Sequence, residues 1–136
     1  MRTFLPLTVT WAFVVLYASL IFTWSSYSKP PLVPQWDIPY IDKLYHACEY
    51  AGLAWLLIRA LQRTFPARPA RQLILWGVLL TIGYGLTDEL HQAFVPERSM
   101  SLYDALADAV GASMAGWVWA KISHHWWRLI DSGGRS

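Results

Sequence analysis

Between Gly83 and Gly111 the chain sets Asp88, Glu89, His91, Gln92, Glu97, Arg98, Asp104 and Asp108 between two apolar tracts. A smaller group, Asp42, Lys43, His46 and Glu49, heads an earlier apolar segment. These side chains could do three kinds of chemistry. Arg98 has planar donors that can grip a phosphate or carboxylate by two bonds. Its alternative use is an internal salt bridge to Asp88 or Asp104, since intramembrane charges tend to pair. Several carboxylates at close range push their pKa values apart, which suits general acid–base work. Asp88, Glu89, Asp104 and Asp108, with His46, Glu49 or His91, are also ligand types for manganese, magnesium, iron or zinc. Ligand type alone does not make a site, so the sequence names no metal, requires no cofactor and assigns no catalytic residue. A structural reading stands beside these: Asp88 and Asp104 tie helix ends, with Ser101 an alternative cap.

Four apolar segments must position these groups. We expect membrane-spanning helices at about 4–24, 41–61, 72–92 and 102–122, each near the length of about 20 residues that crosses a bilayer. The first is too long, and ends too bulkily at Phe22-Thr23-Trp24, for a cleaved signal peptide. Ser25 to Pro39 reads as a loop, with Pro30, Pro31, Pro34 and Pro39 as breakers and Trp36 and Tyr40 as interface anchors. In the second helix Asp42, His46 and Glu49 fall at i, i+4 and i+7 and share one face. The apolar part of the third is too short to span alone, so the helix must run on through Asp88, Glu89 and Gln92. The fourth is rich in small residues, with Ala112 and Gly116 allowing close approach of a neighbour. Trp117, Trp119, Trp126 and Trp127 form an aromatic belt at its far end, and Asp131 to Ser136 reads as a disordered tail.

The composition agrees with one all-α membrane domain over residues 1–136. Charged residues make up 15% of the chain, against about 25% in soluble domains. Nine tryptophans suit a protein with many residues at a membrane interface. The single Cys48 excludes an internal disulfide and a cysteine-rich zinc site. No basic stripe interleaved with aromatics appears, which excludes nucleic acid as a partner. Four spans put Arg2, Arg59, Arg63, Arg68, Arg71, Lys121, Arg128 and Arg135 on one side, so both termini are expected in the cytoplasm. Every acid except Asp131 then falls at the outer face, and both polar groups meet there as one site. Asp42/His46 and Asp104/Asp108 also hint at a duplicated helical hairpin.

The polar signature resembles the VanZ-like family of small bacterial membrane proteins. The matching pieces are Asp42-Lys43-x-x-His46 and Asp88-Glu89-Leu90-His91-Gln92-x-Phe94-x-Pro96-x-Arg98, then Asp104, Asp108 and Gly111. The resemblance covers roughly residues 10 to 120. Asp108 stands where the family usually has Asn, and Ala115 where a second glycine often sits. The resemblance implies a multi-pass protein of the bacterial inner membrane. The family is named for a member associated with resistance to the glycopeptide teicoplanin, although membership alone does not make a protein a resistance protein.

The expected function is recognition of an anionic envelope component at the outer face: a lipid head group, a cell-wall precursor, or a glycopeptide bound near one. Arg98 would hold the anion, with His46 and Gln92 as hydrogen-bonding partners. Asp42, Asp88, Glu89, Asp104 and Asp108 would orient Arg98, Lys43 and the helix ends. A membrane hydrolase or transferase acting on a lipid-linked substrate is the rival, although no nucleophile motif is present. A structural partner in an envelope complex is the third reading. The expected partners are the bilayer, the head group or precursor, and a second copy or another envelope protein.

Overall fold

The structure, a computed structural model, describes residues 6–28 and 40–133, with only the backbone described from 124 onward. Four helices follow one another: α1 (Leu7–Ser25), α2 (Ile41–Thr64), α3 (Ala70–Gln92) and α4 (Leu102–Gly133). No strand occurs among the described residues.

The helix limits follow from local chemistry. Pro6 and Pro69 sit just before α1 and α3, where a missing amide costs nothing. α2 begins after Tyr40, whose φ of 63° turns the chain into the helix. It ends at Phe65, just before Pro66. Ser101 caps α4, its Oγ accepting from the Asp104 amide at 3.2 Å.

Side-chain bonds fix the packing. Trp11 Nε1 donates to Thr64 Oγ1 at 3.0 Å, so α1 and α2 run antiparallel, with the start of α1 beside the end of α2. Ser25 bonds to Asp88 and Tyr84 to the Ala18 carbonyl, so α1 and α3 run in the same direction. Lys43 pairs with Asp104 and Gln62 bonds to Trp119, so α2 and α4 are also parallel to each other. The α2–α4 contact is the most extensive in the molecule. Small residues make it possible: a Cβ on Gly111 would overlap the Ala47 carbonyl. Ala54, Ala112 and Ala115 fill the seam below it. Tyr50, Leu53 and Leu57 join Val14 and Ile21 of α1 in a second apolar cluster.

The outward surface is apolar. α1 exposes Phe13, Val15, Leu16 and Leu20, α3 exposes Leu75, Leu79, Leu80 and Leu86, and α4 exposes Leu106, Val110 and Met114. Among the described residues α1 and α3 are long and apolar enough to cross a membrane, with mean hydropathy of 1.8 and 1.3 in their best windows. α2 and α4 do not meet that test: α2 carries Lys43, His46, Glu49 and Arg59 along its length, and α4 carries Asp104, Asp108 and Lys121.

The four expected segments coincide with the four helices, with shifts at the ends. α1 takes in Ser25, which had been expected in the loop, and α2 runs on to Thr64. α3 ends at Gln92, as the length argument requires. α4 continues to Gly133, where the sequence suggested a tail without structure from Asp131. The Trp36 anchor, the four loop prolines, Arg2, Arg135 and the side chains of Trp126, Trp127 and Arg128 lie outside the described residues.

Candidate functional site

The parallel pairs α1/α3 and α2/α4 bring the end of α1, the start of α2, the end of α3 and the start of α4 to one pole. The polar residues separated in sequence meet there. At its centre Asp88, 4% exposed, uses both carboxylate oxygens. Ser25 Oγ donates to Oδ1 at 2.6 Å and Gln92 Nε2 to Oδ2 at 3.0 Å. Gln92 is one turn beyond Asp88 on the same helix face, so α3 itself sets this pair.

α2 and α4 supply the second half. Lys43 Nζ donates to Asp42 at 2.7 Å and also pairs with Asp104. One turn further in, His46 Nδ1 and Asp108 Oδ1 lie 3.0 Å apart. The two helices therefore share a ladder, Lys43–Asp104 then His46–Asp108, with steps of three and four residues along neighbouring helix faces. Glu89 of α3 reaches the same place, its Oε2 accepting from the Ser101 amide at 2.7 Å. Oε1 of Glu89 and Oδ2 of Asp108 are buried without a hydrogen-bond partner among the described residues. His46, Glu89 and Asp108 each bring one metal-ligating atom within 4.8 Å of the others.

Above the carboxylates opens a cavity of about 520 Å³. Among the described residues Asp42, Glu49, Asp88, Glu97 and Asp104 give its wall negative charge, and Lys43 and Arg98 are the cations facing them. Lys43 is already engaged by two carboxylates. Among the described residues Arg98 Nη1 reaches the Ser25 and Tyr27 carbonyls, at 3.3 and 3.4 Å. The internal salt bridge from Arg98 to Asp88 or Asp104 is not formed; Asp88 is held by Ser25 and Gln92, and Asp104 by Lys43. The backbone of Glu97, with φ of 62°, makes the turn that sends Arg98 back over α1.

The family model of VanZ/LLP1 matches residues 3–124, and that stretch includes every residue of the cavity wall. The chain belongs to the VanZ/LLP1 family. No curated protein and no solved structure matches the chain. VanZ/LLP1 membership together with the two apolar helices marks it as a membrane protein.

Nine polar residues of the signature read from the sequence thus lie in one place. Asp42, Lys43, His46, Asp88, Gln92, Arg98 and Asp104 line the cavity, and Glu89 and Asp108 are buried behind it. Ser101 is the α4 cap, and Asp104 is free to pair with Lys43. His91 points elsewhere: its ring lies 4.4 Å from Phe22 and its Nε2 is 3.0 Å from Ser26 Oγ. Six cavity-lining residues, Ile21, Trp24, Ser25, Ser28, Tyr45 and Ser99, were not singled out from the sequence as site residues. Ser25 looked like the first residue of a loop, and only the α1–α3 pairing reveals it as a partner of Asp88. Tyr45, given no role in the site by the sequence, lies in the cavity wall.

Proposed function

We propose that this VanZ/LLP1 protein spans the bacterial inner membrane four times, with both termini in the cytoplasm. Its polar pole then faces outward and recognises an anionic group on an envelope component. The observation that carries this reading is Arg98: a guanidinium on the cavity wall, bonded among the described residues to two backbone carbonyls, while Asp88 and Asp104 are held by Ser25, Gln92 and Lys43. A guanidinium not hydrogen-bonded to a carboxylate keeps its planar donors for a phosphate.

The charge of the wall narrows the ligand. Asp42, Glu49 and Glu97 repel a multiply charged pyrophosphate but attract an amine or ammonium group. The best-matched component carries one phosphodiester charge with a cationic group beside it, as a zwitterionic lipid head group does. A cell-wall precursor fits only if a cationic group accompanies its phosphates. A link to teicoplanin resistance belongs to the same proposal, as the physiological result of occupying or altering such a component.

The test is thermal unfolding of the detergent-solubilised protein with short-chain phospholipids. Wild type should be stabilised by a zwitterionic phospholipid more than by a neutral lipid of equal chain length. Arg98→Ala should fold and lose that difference. An Arg98→Ala protein that keeps the full stabilisation overturns the reading.

A further inference from the structure

We propose that His46, Glu89 and Asp108 form a binding site for a divalent cation of the zinc or manganese class, held between α2, α3 and α4 behind the cavity wall. This inference does not rest on the reading of Arg98.

Two buried carboxylates carry it. Glu89 is 2% exposed and Asp108 1%. Each has one oxygen that is engaged, Glu89 Oε2 by the Ser101 amide and Asp108 Oδ1 by His46 Nδ1. Each has one buried oxygen with no hydrogen-bond partner among the described residues, Glu89 Oε1 and Asp108 Oδ2. A buried polar atom without a partner is costly, and a buried anion is costlier still. Neither carboxylate forms a salt bridge with Lys43 or Arg98. His46, which Asp108 does contact, is itself a common metal ligand. A single divalent cation would satisfy both orphan oxygens and balance both charges.

The geometry is close to that of a metal site. One atom from each residue lies within 4.8 Å of the others. Ligands about 2.1 Å from a metal stand at most about 4.2 Å apart, so a small closing movement of the side chains completes the set. The backbone around the site suits this approach. Gly85 of α3 lies against Asp108, and a Cβ there would come within 3.0 Å of Asp108 Oδ2. The Ser101 amide fixes the Glu89 carboxylate as an outer-sphere donor does in known metal sites. His46 lines the cavity, which gives an ion a path from the outer face. One imidazole with two carboxylates selects borderline first-row cations over calcium or magnesium, and water completes the coordination.

The test uses the full-length protein in detergent, stripped with chelator and then given Zn²⁺ or Mn²⁺ alone. Metal content after desalting and the shift in Tm are both read. Wild type should retain about one ion per chain and unfold several degrees higher with it. Glu89→Gln and Asp108→Asn should each weaken binding by about 100-fold or more, since ligand loss exceeds the 10–100-fold effect of outer-sphere changes. Stripped of metal, Glu89→Gln should unfold no lower than stripped wild type, because an amide replaces a buried carboxylate with no cation beside it; Asp108→Asn also loses the charge next to His46 and is judged on metal retention. If both carboxylate variants fail to fold, His46→Gln decides, and it must lose the ion. Arg98→Ala should retain the ion, which separates this site from the anion reading. A folded wild type that neither retains an ion nor shifts in Tm overturns the proposal. Equal retention by wild type and the variants overturns it too.

Discussion

Ser25 Oγ and Asp88 Oδ1 lie 2.6 Å apart, joining the last turn of α1 to the polar end of α3 across 63 residues of sequence. The same Ser25 offers its carbonyl to Arg98. One serine therefore fixes the central carboxylate on one side and steadies the cavity's guanidinium on the other. Ser25→Ala should cost about 1.5–3 kcal/mol, the range for a hydrogen bond to a charged partner whose removal leaves a buried acceptor short. Thermal unfolding in detergent reads this as a fall in Tm of several degrees; an unchanged Tm would mean that Asp88 does not depend on α1.

The α2–α4 ladder predicts coupling between Lys43 and Asp104. The pair is partly shielded, with side-chain exposures of 28% and 12%. Lys43→Met leaves Asp104 facing the carboxylates of Asp42 and Asp108 without its cation, and should destabilise the protein. Adding Asp104→Asn to Lys43→Met should recover part of that loss. The cycle should give a coupling energy of about 1–3 kcal/mol, as expected for residues in direct contact. Additive effects of the two substitutions would show that the ion pair contributes nothing.

Two glycines should behave oppositely. At Gly111 a Cβ would overlap the Ala47 backbone, and backbone cannot swing aside. Gly111→Ala should therefore force α2 and α4 apart, at about 1–3 kcal/mol for overpacking. At Gly83 a Cβ meets nothing within 4 Å. Gly83→Ala should be neutral or stabilise by up to about 1 kcal/mol through helix propensity. Equal effects at the two positions, measured by thermal unfolding, would contradict the close α2–α4 contact.

The sequence revealed much of this arrangement because its signals were local. The apolar lengths and proline breaks placed four helices, and the short apolar part of α3 required it to continue to Gln92. The spacing Asp88-x-x-x-Gln92 placed both groups on one face, and they bond. The parallel between Asp42/His46 and Asp104/Asp108 became the ladder between parallel helices, offset so that Lys43 rather than Asp42 meets Asp104. What escaped depends on contacts between distant segments. Ser25 has no local pattern that distinguishes it from a loop serine. The choice between two uses of Arg98 turned on whether Asp88 and Asp104 already had partners, and those partners come from α1 and α2. The orphan oxygens of Glu89 and Asp108 follow from burial, which no spacing encodes.

The guanidinium geometry makes a further prediction at position 98. Arg98→Lys keeps the charge but loses the planar pair of donors. It should retain less than about a tenth of wild-type affinity for a phosphodiester, since a lost bidentate bond costs at least about 1.4 kcal/mol. Near-full affinity in Arg98→Lys would mean that charge alone, without shape, is being read.

The measurement closest to the central claim is equilibrium binding of a zwitterionic phospholipid to purified wild type and Arg98→Ala, with folding of both verified by Tm. Saturable binding by wild type that weakens at least about tenfold in Arg98→Ala, a loss of about 1.4 kcal/mol, is the predicted result. Equal affinity of the two proteins would contradict it, because the Arg98 guanidinium would then not be what the ligand meets.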